Sequence, residues 1–200
     1  MLLHDNLFDL THIGYLHKDT FGEGAEADQI PLHASRPGWV ESHFEQPDIP
    51  CPPFFAAMLG FDGQVTRHFG LRLHLPCLHV GGDDIFAVGP DGTPGEKLGS
   101  FSVYHGVTPA TRHSAHYFGA IGHDWPHADP DHAAKVAARL IPALEEDISA
   151  ARYFEEMIAK VGGRPSELLL RADNVCVLGR REFERLIRAE HATMIEREAA

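Results

Sequence analysis

The chain of 200 residues is poor in basic side chains and has no long apolar run. Lysine and arginine total 17 against 29 aspartate and glutamate residues, which gives a formal net charge of -12. This balance disfavours binding to nucleic acid or to an anionic membrane, since both need a basic surface. No apolar stretch approaches the roughly 18 residues that span a bilayer, and no signal peptide is evident. The sequence therefore predicts a cytoplasmic protein with no nucleic-acid or membrane partner.

Cysteine is also scarce. Cys51, Cys77 and Cys176 are an odd number, and no two of them have CxxC spacing. Neither a disulfide framework nor a zinc ribbon is indicated, and we expect small buried hydrophobic side chains. Histidine, in contrast, is abundant, with 15 residues. This excess suggests metal or proton chemistry, but it makes any single histidine pair less specific.

Hydrophobic periodicity predicts an α+β chain. Apolar residues recur at helical spacing near both ends, and strict alternation dominates the middle. Together these patterns predict an antiparallel meander with a long helix folded across it. The predicted helices are 5–15, 131–162 and 180–198, and the alternating region is 38–125, with hairpin-type turns at Asp62-Gly63 and Asp91-Gly92.

A helix folded across a sheet usually leaves a cavity between the two layers. Such a cavity is a natural place for a small ligand. We expect Phe69, Tyr117 and Phe154 to contact it.

Two histidines near the N-terminus, His12 and His17, are candidate metal ligands. Two neutral imidazoles and one carboxylate can hold Fe(II) on one face and leave the other face open. The same spacing recurs elsewhere in this chain, so the pair alone does not identify ligands. Residues five apart on an α-helix differ by about 140°, so the helix must end or loosen between them. Gly14 permits that break.

The third ligand should be a carboxylate on an apolar face, because an unpaired buried charge is costly. On a helical wheel of the long helix, Asp147 lies inside the apolar arc. Glu155 lies within the arc too and is a rival, and Glu146 lies nearer the polar side. A carboxylate paired with a buried arginine or histidine is the alternative explanation for Asp147.

The string NLFDLTHIGYLH, which begins at Asn6, resembles the iron motif Asn-x2-Asp-x2-His-x4-His of Rieske non-haem iron oxygenases. The similarity is closest to the oxygenase components of the vanillate O-demethylase type. Segments 107–118, 145–152 and 180–190 are similar to further parts of this family in the same order. The resemblance therefore covers essentially the whole chain. It implies a helix-grip (START-like) fold and a single catalytic domain over residues 1–200.

The resemblance implies site residues as well. His12, His17 and Asp147 would hold a mononuclear Fe(II). Asp9 would link the iron to an incoming electron, and Asn6 would lie beside the substrate or the iron. The glutamines that often follow the carboxylate ligand in the family are missing here, so Glu146 and Glu155 stay open as alternatives to Asp147.

The implied activity is the hydroxylation or oxidative O-demethylation of an aromatic substrate, typically an aromatic acid, with O2. The family holds a [2Fe-2S] cluster through Cys-x-His and a later Cys-x2-His. Cys77-Leu-His79 has only the first spacing, so we expect no [2Fe-2S] cluster in this chain. A Rieske ferredoxin with its reductase, or a Rieske-domain subunit, would then supply electrons. The family also implies a homotrimer.

The sequence leaves two other functions open. The first is a binding module, or a truncated remnant of such an oxygenase, that holds a small hydrophobic ligand without turnover. The second is a metal-dependent hydrolase, for which no general base is evident.

Overall fold

A six-stranded antiparallel sheet lies at the centre of the fold, with each strand hydrogen-bonded to the next in chain order. The computed structural model describes residues 2–20, 25–111, 113–125, 131–163 and 165–198. None of the helices in these segments is long and apolar enough to cross a membrane. The elements, in chain order, are α1 (Leu2–Phe8), α2 (Ile13–Leu16), β1 (Leu32–Arg36), β2 (Trp39–Pro50), α3 (Pro53–Leu59), β3 (Gln64–His74), β4 (Leu78–Val88), β5 (Pro94–Thr111), β6 (Ser114–His123), α4 (His132–Lys160) and α5 (Asn174–Glu198).

The alternating pattern of β3 builds the core face of the sheet. Val65 and Leu73 are fully buried, whereas Arg72 and His74 on the opposite face are exposed. Successive side chains of a strand point to opposite faces, so alternation buries one set. The predicted antiparallel meander and the α+β class are confirmed.

The hydrophobic core lies between this face and the helices. One part joins α3 and the first half of α4 to the sheet around Phe101, which stacks on Trp125 with ring centroids 5.9 Å apart. A second part joins the N-terminal segment to the sheet through Leu10, Ile13 and Phe69. The core therefore holds the N-terminal segment against the middle of the sheet.

One segment inside the predicted run of strands is a helix, so that part of the prediction was wrong. α3 begins directly after Pro52, and Pro53 occupies its first position, where a missing N–H costs nothing. It ends at Gly60, whose φ of 65° is left-handed. Since α3 precedes Asp62-Gly63, that turn does not connect two strands, whereas Asp91-Gly92 does join β4 to β5.

The predicted N-terminal helix is interrupted. α1 ends at Phe8, and a 3-10 turn over Leu10–His12 separates it from α2. Oδ1 of Asp9 caps this turn by accepting a hydrogen bond of 2.9 Å from the backbone N–H of Thr11. The break turns the chain between the two candidate histidines, as the angular argument requires.

The two halves of α4 differ in burial, and α5 begins earlier than predicted. The first half of α4 is buried at Val136, Leu140 and Ala143. In its second half, Phe154 is 62% exposed, so the apolar arc continues beyond the core. α5 begins at Asn174 rather than near residue 180.

Candidate metal centre

Two histidines of the N-terminal segment, His12 and His17, converge on Asp147 of α4. Nε2 of His12 and Nε2 of His17 are 3.2 Å apart. Oδ1 of Asp147 lies 3.4 Å from the first nitrogen and 3.2 Å from the second. Together they form a group that could hold a metal ion. Two imidazoles and one carboxylate are the donor set of a facial Fe(II) site, so these residues fit the implied metal.

Local hydrogen bonds orient both imidazoles. Nδ1 of His12 donates to the backbone carbonyl of Asp9, which lies at the start of the 3-10 turn. Nδ1 of His17 donates to Oε2 of Glu146 over 2.7 Å. When Nδ1 carries the proton, Nε2 of a neutral ring has a free lone pair. Both Nε2 atoms face Asp147, so each could offer a lone pair to a metal ion when its ring is neutral.

The two neighbouring acidic residues of α4 have different positions. Asp147 faces both histidines, whereas Glu146 contacts the far side of His17 and accepts a second hydrogen bond, of 3.2 Å, from Oγ1 of Thr20. Glu155, the other rival from the sequence, is exposed farther along the helix. The geometry favours Asp147 as the ligand and Glu146 as the residue that orients His17.

The two other candidate residues lie next to this cluster. Nδ2 of Asn6 donates a hydrogen bond of 2.8 Å to Oδ1 of Asp147, the oxygen that faces the histidines. Asp9 caps the 3-10 turn with its carboxylate and holds His12 with its carbonyl. Both residues position the candidate ligands, and the role of Asp9 in electron transfer stays a prediction.

The electrostatics suit a cation. Burial alone would lower the pKa of His17, but the hydrogen bonds and charges of Asp147 and Glu146 outweigh burial and raise that pKa. Burial alone would raise the pKa of Asp147, but hydrogen bonds from His12 and His17 outweigh it and lower that pKa. The cluster thus keeps an ionised carboxylate against two imidazoles, and a bound cation would complete this arrangement.

We expect the Glu146→Gln variant to bind Fe(II) about 10–100-fold more weakly, the usual effect of losing a carboxylate that orients a ligating histidine. Anaerobic competition against a chromogenic chelator measures this affinity. Glu155→Gln, which removes the same charge from an exposed position of the same helix, should bind as tightly as the unmodified chain. Equal losses in both variants would contradict an orienting role for Glu146.

A cavity of about 440 Å³ opens beside the cluster, between the sheet and α4. His12, His17 and Asp147 form part of its wall, and most of the rest is apolar. Phe69 and Tyr117 line it as predicted. Phe154 was predicted to contact it and does not, because it lies in the exposed half of α4. The volume is within the range of small-molecule sites, about 300–1,000 Å³.

Sequence reasoning missed a buried ionic cluster that reaches this cavity through Asp83. Arg67 on β3 contacts Asp83 on β4, and its Nη1 lies 2.8 Å from Oε1 of Glu26 and 3.2 Å from Oε1 of Gln46. Arg67 is only 2% exposed. The sequence feature that could have indicated this cluster is Arg67 itself, an arginine on the inward-facing side of β3 among apolar residues.

Buried histidines form a second unpredicted group. Nδ1 of His4 lies 2.8 Å from Nε2 of His79, and His79 is fully buried. His79 on β4 is paired in the sheet register with His105 on β5. Burial lowers the pKa of His79 to about 2 and the pKa values of His4 and His105 to about 4. All three are therefore neutral at neutral pH.

These histidines predict a loss of stability in acid. Their folded-state pKa values lie below the ordinary 6.5, so the unfolded chain binds more protons as the pH falls through that value. Each histidine then removes up to about 1.4 kcal/mol from the free energy of unfolding per pH unit, until its folded-state pKa is reached. Urea unfolding between pH 7 and 4.5 measures the slope. His79→Gln should flatten it and His74→Gln, at an exposed position, should not; an unchanged slope in both would refute this origin.

The fold and the cluster together define a helix-grip domain with a candidate mononuclear metal centre beside an apolar cavity. The family model for the vanillate O-demethylase oxygenase C-terminal domain matches residues 1–189, and the chain belongs to this family. It is thus a C-terminal catalytic domain of the Rieske non-haem iron oxygenase type. The resemblance and the fold class predicted from the sequence are both confirmed.

Individual relatives agree with this assignment. The chain is 29% identical over 201 aligned positions to the vanillate O-demethylase oxygenase subunit of a Pseudomonas species, with 96% of this chain and 60% of the relative covered. A crystal structure of dicamba monooxygenase with bound 3,6-dichlorosalicylic acid superposes with a TM-score of 0.81 at 26% identity, over 96% of this chain and 56% of that one. Another dicamba monooxygenase structure, which contains non-haem iron and dicamba, has a TM-score of 0.68 at 22% identity, over 96% of this chain and 54% of that one. The chain thus spans little more than half the length of these relatives.

Proposed function

We propose that residues 1–200 form one catalytic domain that oxidises an aromatic substrate with O2. The observation that carries this proposal is the convergence of His12, His17 and Asp147 on the wall of an apolar cavity. Fe(II) held by these residues would supply the redox chemistry of O2 beside the cavity.

The chain's own residues prepare the site for that chemistry. Asn6 and Glu146 hold Asp147 and His17 in place, so the three donor atoms need little rearrangement. The apolar wall excludes water and positions an aromatic ring by contact with side chains such as Phe69 and Leu71. A substrate in the cavity would therefore lie directly beside the candidate ligands.

The reaction we propose is oxidative O-demethylation or ring hydroxylation. In demethylation, the methoxyarene, O2, two electrons and two protons give a phenol, formaldehyde and water. One oxygen atom enters the methyl group, whose C–O bond to the ring oxygen then breaks, and the other leaves as water. The electrons would come from a Rieske ferredoxin with its reductase, or from a Rieske-domain subunit, by way of Asp9. A homotrimer and a cytoplasmic location stay predictions.

Iron uptake tests the proposal first. The chain is loaded with Fe(II) without oxygen, and the nitric oxide adduct is counted by EPR. We expect one adduct per chain. The loaded chain is then mixed with 2-methoxyphenol, O2 and a stoichiometric electron donor, and up to one formaldehyde per iron is expected. A chain that binds methoxylated aromatics but takes up no iron would instead be a ligand-binding domain.

A further inference from the structure

The wall of the cavity carries negative charge away from the metal cluster. Two carboxylates besides Asp147 line the cavity: the buried Asp83 on β4 and the solvent-exposed Glu145 on α4. Within the described part of the chain, no lysine or arginine side chain lines the cavity. An anion in the cavity would therefore lie near these two carboxylates. No lysine or arginine among the lining residues would balance its charge.

Arg67 is the buried cation nearest to Asp83, but it is already engaged. Its guanidinium contacts Asp83 and lies 2.8 Å from Glu26, and it sits 5.4 Å from the ring centroid of Phe55 and 4.9 Å from that of Phe69. Two carboxylates surround one positive charge, and the aromatic rings restrict its movement. The cluster therefore presents Asp83, and no positive charge, to the cavity.

The remaining polar groups of the wall include a neutral pair. Nδ1 of His105 lies 2.5 Å from the hydroxyl of Tyr117. Burial lowers the pKa of His105 to about 4, and burial also raises the pKa of Tyr117. Since the phenol keeps its proton, it donates to Nδ1 of the uncharged imidazole. These two groups can hydrogen-bond to a neutral ligand, and neither carries a positive charge that would balance an anion.

From this wall we infer that the cavity selects uncharged aromatic molecules, such as methoxylated phenols, over aromatic carboxylates. A carboxylate that leaves water for an apolar cavity needs a cationic partner, and here Asp83 and Glu145 would repel it. A methoxyphenol pays no such cost, because its ring contacts the apolar wall and its hydroxyl finds neutral partners. The inference rests on the proposed function and narrows its substrate, since the family resemblance alone implied an aromatic acid.

A matched pair of probes tests this preference. 2-Methoxyphenol and 4-hydroxy-3-methoxybenzoate differ only by one carboxylate. Their binding to the full chain is measured by calorimetry at about pH 7, both metal-free and anaerobically loaded with Fe(II), since a carboxylate could also bind the metal. We expect the phenol to bind at least about tenfold more tightly in both forms, the cost of an uncompensated charge. Equal or tighter binding of the benzoate, or no binding of either probe, would overturn the inference.

Two variants of α4 then locate the source of the preference. Both positions are exposed, but Glu145→Gln removes a charge that lines the cavity, and Glu156→Gln removes one from outside it. The first should reduce the preference for the phenol by about threefold and the second should leave it unchanged. An equal change in both would mean that net charge, not the wall, sets the preference, and would refute the inference. Iron uptake and formaldehyde release are scored separately, so a failure of the proposed function is distinguishable from a failure of this selectivity.

Discussion

Replacing Asp147 with alanine is expected to abolish stoichiometric iron binding. The side chain supplies the only carboxylate oxygen of the candidate cluster, 3.2 Å from Nε2 of His17 and 3.4 Å from Nε2 of His12. Without it, two neutral imidazoles face a dication with no anion to balance it. The affinity for Fe(II) should fall by more than about 100-fold, since removing a ligand costs more than removing a partner that orients one. The EPR signal of the nitric oxide adduct should disappear.

Glu155→Ala is the matched control for this experiment. It removes a carboxylate that the sequence also offered as a ligand, from the same helix and an exposed position. This variant should load one iron per chain. Circular dichroism and thermal unfolding of both variants verify that each has folded. If Asp147→Ala kept its iron, or if Glu155→Ala lost it, the ligand assignment would be wrong.

The second large effect concerns stability. We expect Arg67→Met to lower the free energy of unfolding by about 3–5 kcal/mol, because it leaves Asp83 and Glu26 buried without their cation. Urea unfolding at about pH 7 measures the change. Burial already raises the pKa of Asp83 despite the nearby Arg67. Without the arginine, the carboxylates should bind protons more readily, so the deficit of the variant should shrink as the pH falls toward 5.

Arg72→Met provides the control on the same strand. Arg72 pairs with Glu41 on the outer face of the sheet, and its side chain is 45% exposed. Exposed ion pairs contribute about 0–1 kcal/mol, so this variant should unfold at nearly the same urea concentration as the unmodified chain. Similar losses in the two variants would mean that the buried cluster has no special role in the fold.

Much of the candidate site could be predicted because its elements are local. The segment from Asn6 to His17 is short, so its motif could be recognised from spacing, and the angular argument required a break in the helix between His12 and His17. Asp147 was identified from the apolar arc of its helix and from the family resemblance. The helical wheel left Glu155 as a rival within the same arc, and the less secure family match around Asp147 left Glu146 open as well. The two contacts with His17 separate their positions.

Other features were not visible from local patterns. α3 was missed because its run of apolar residues is compatible with a buried strand as well as a helix. The buried ionic cluster was missed because Arg67, Asp83 and Glu26 come from three separate segments. A single charged residue on an apolar face signals a partner but does not say which one.

The sequence by itself determined the α+β class, the meander, the long helix and the family, because hydrophobic periodicity and motif spacing depend on residues close together in the chain. Only the tertiary structure decided which carboxylate faces the histidines, which half of α4 is buried and what charge the cavity wall carries. These properties depend on side chains brought together from distant segments, such as Asn6 and Asp147. Packing of the helices against the sheet sets those contacts, and local spacing contains no information about them.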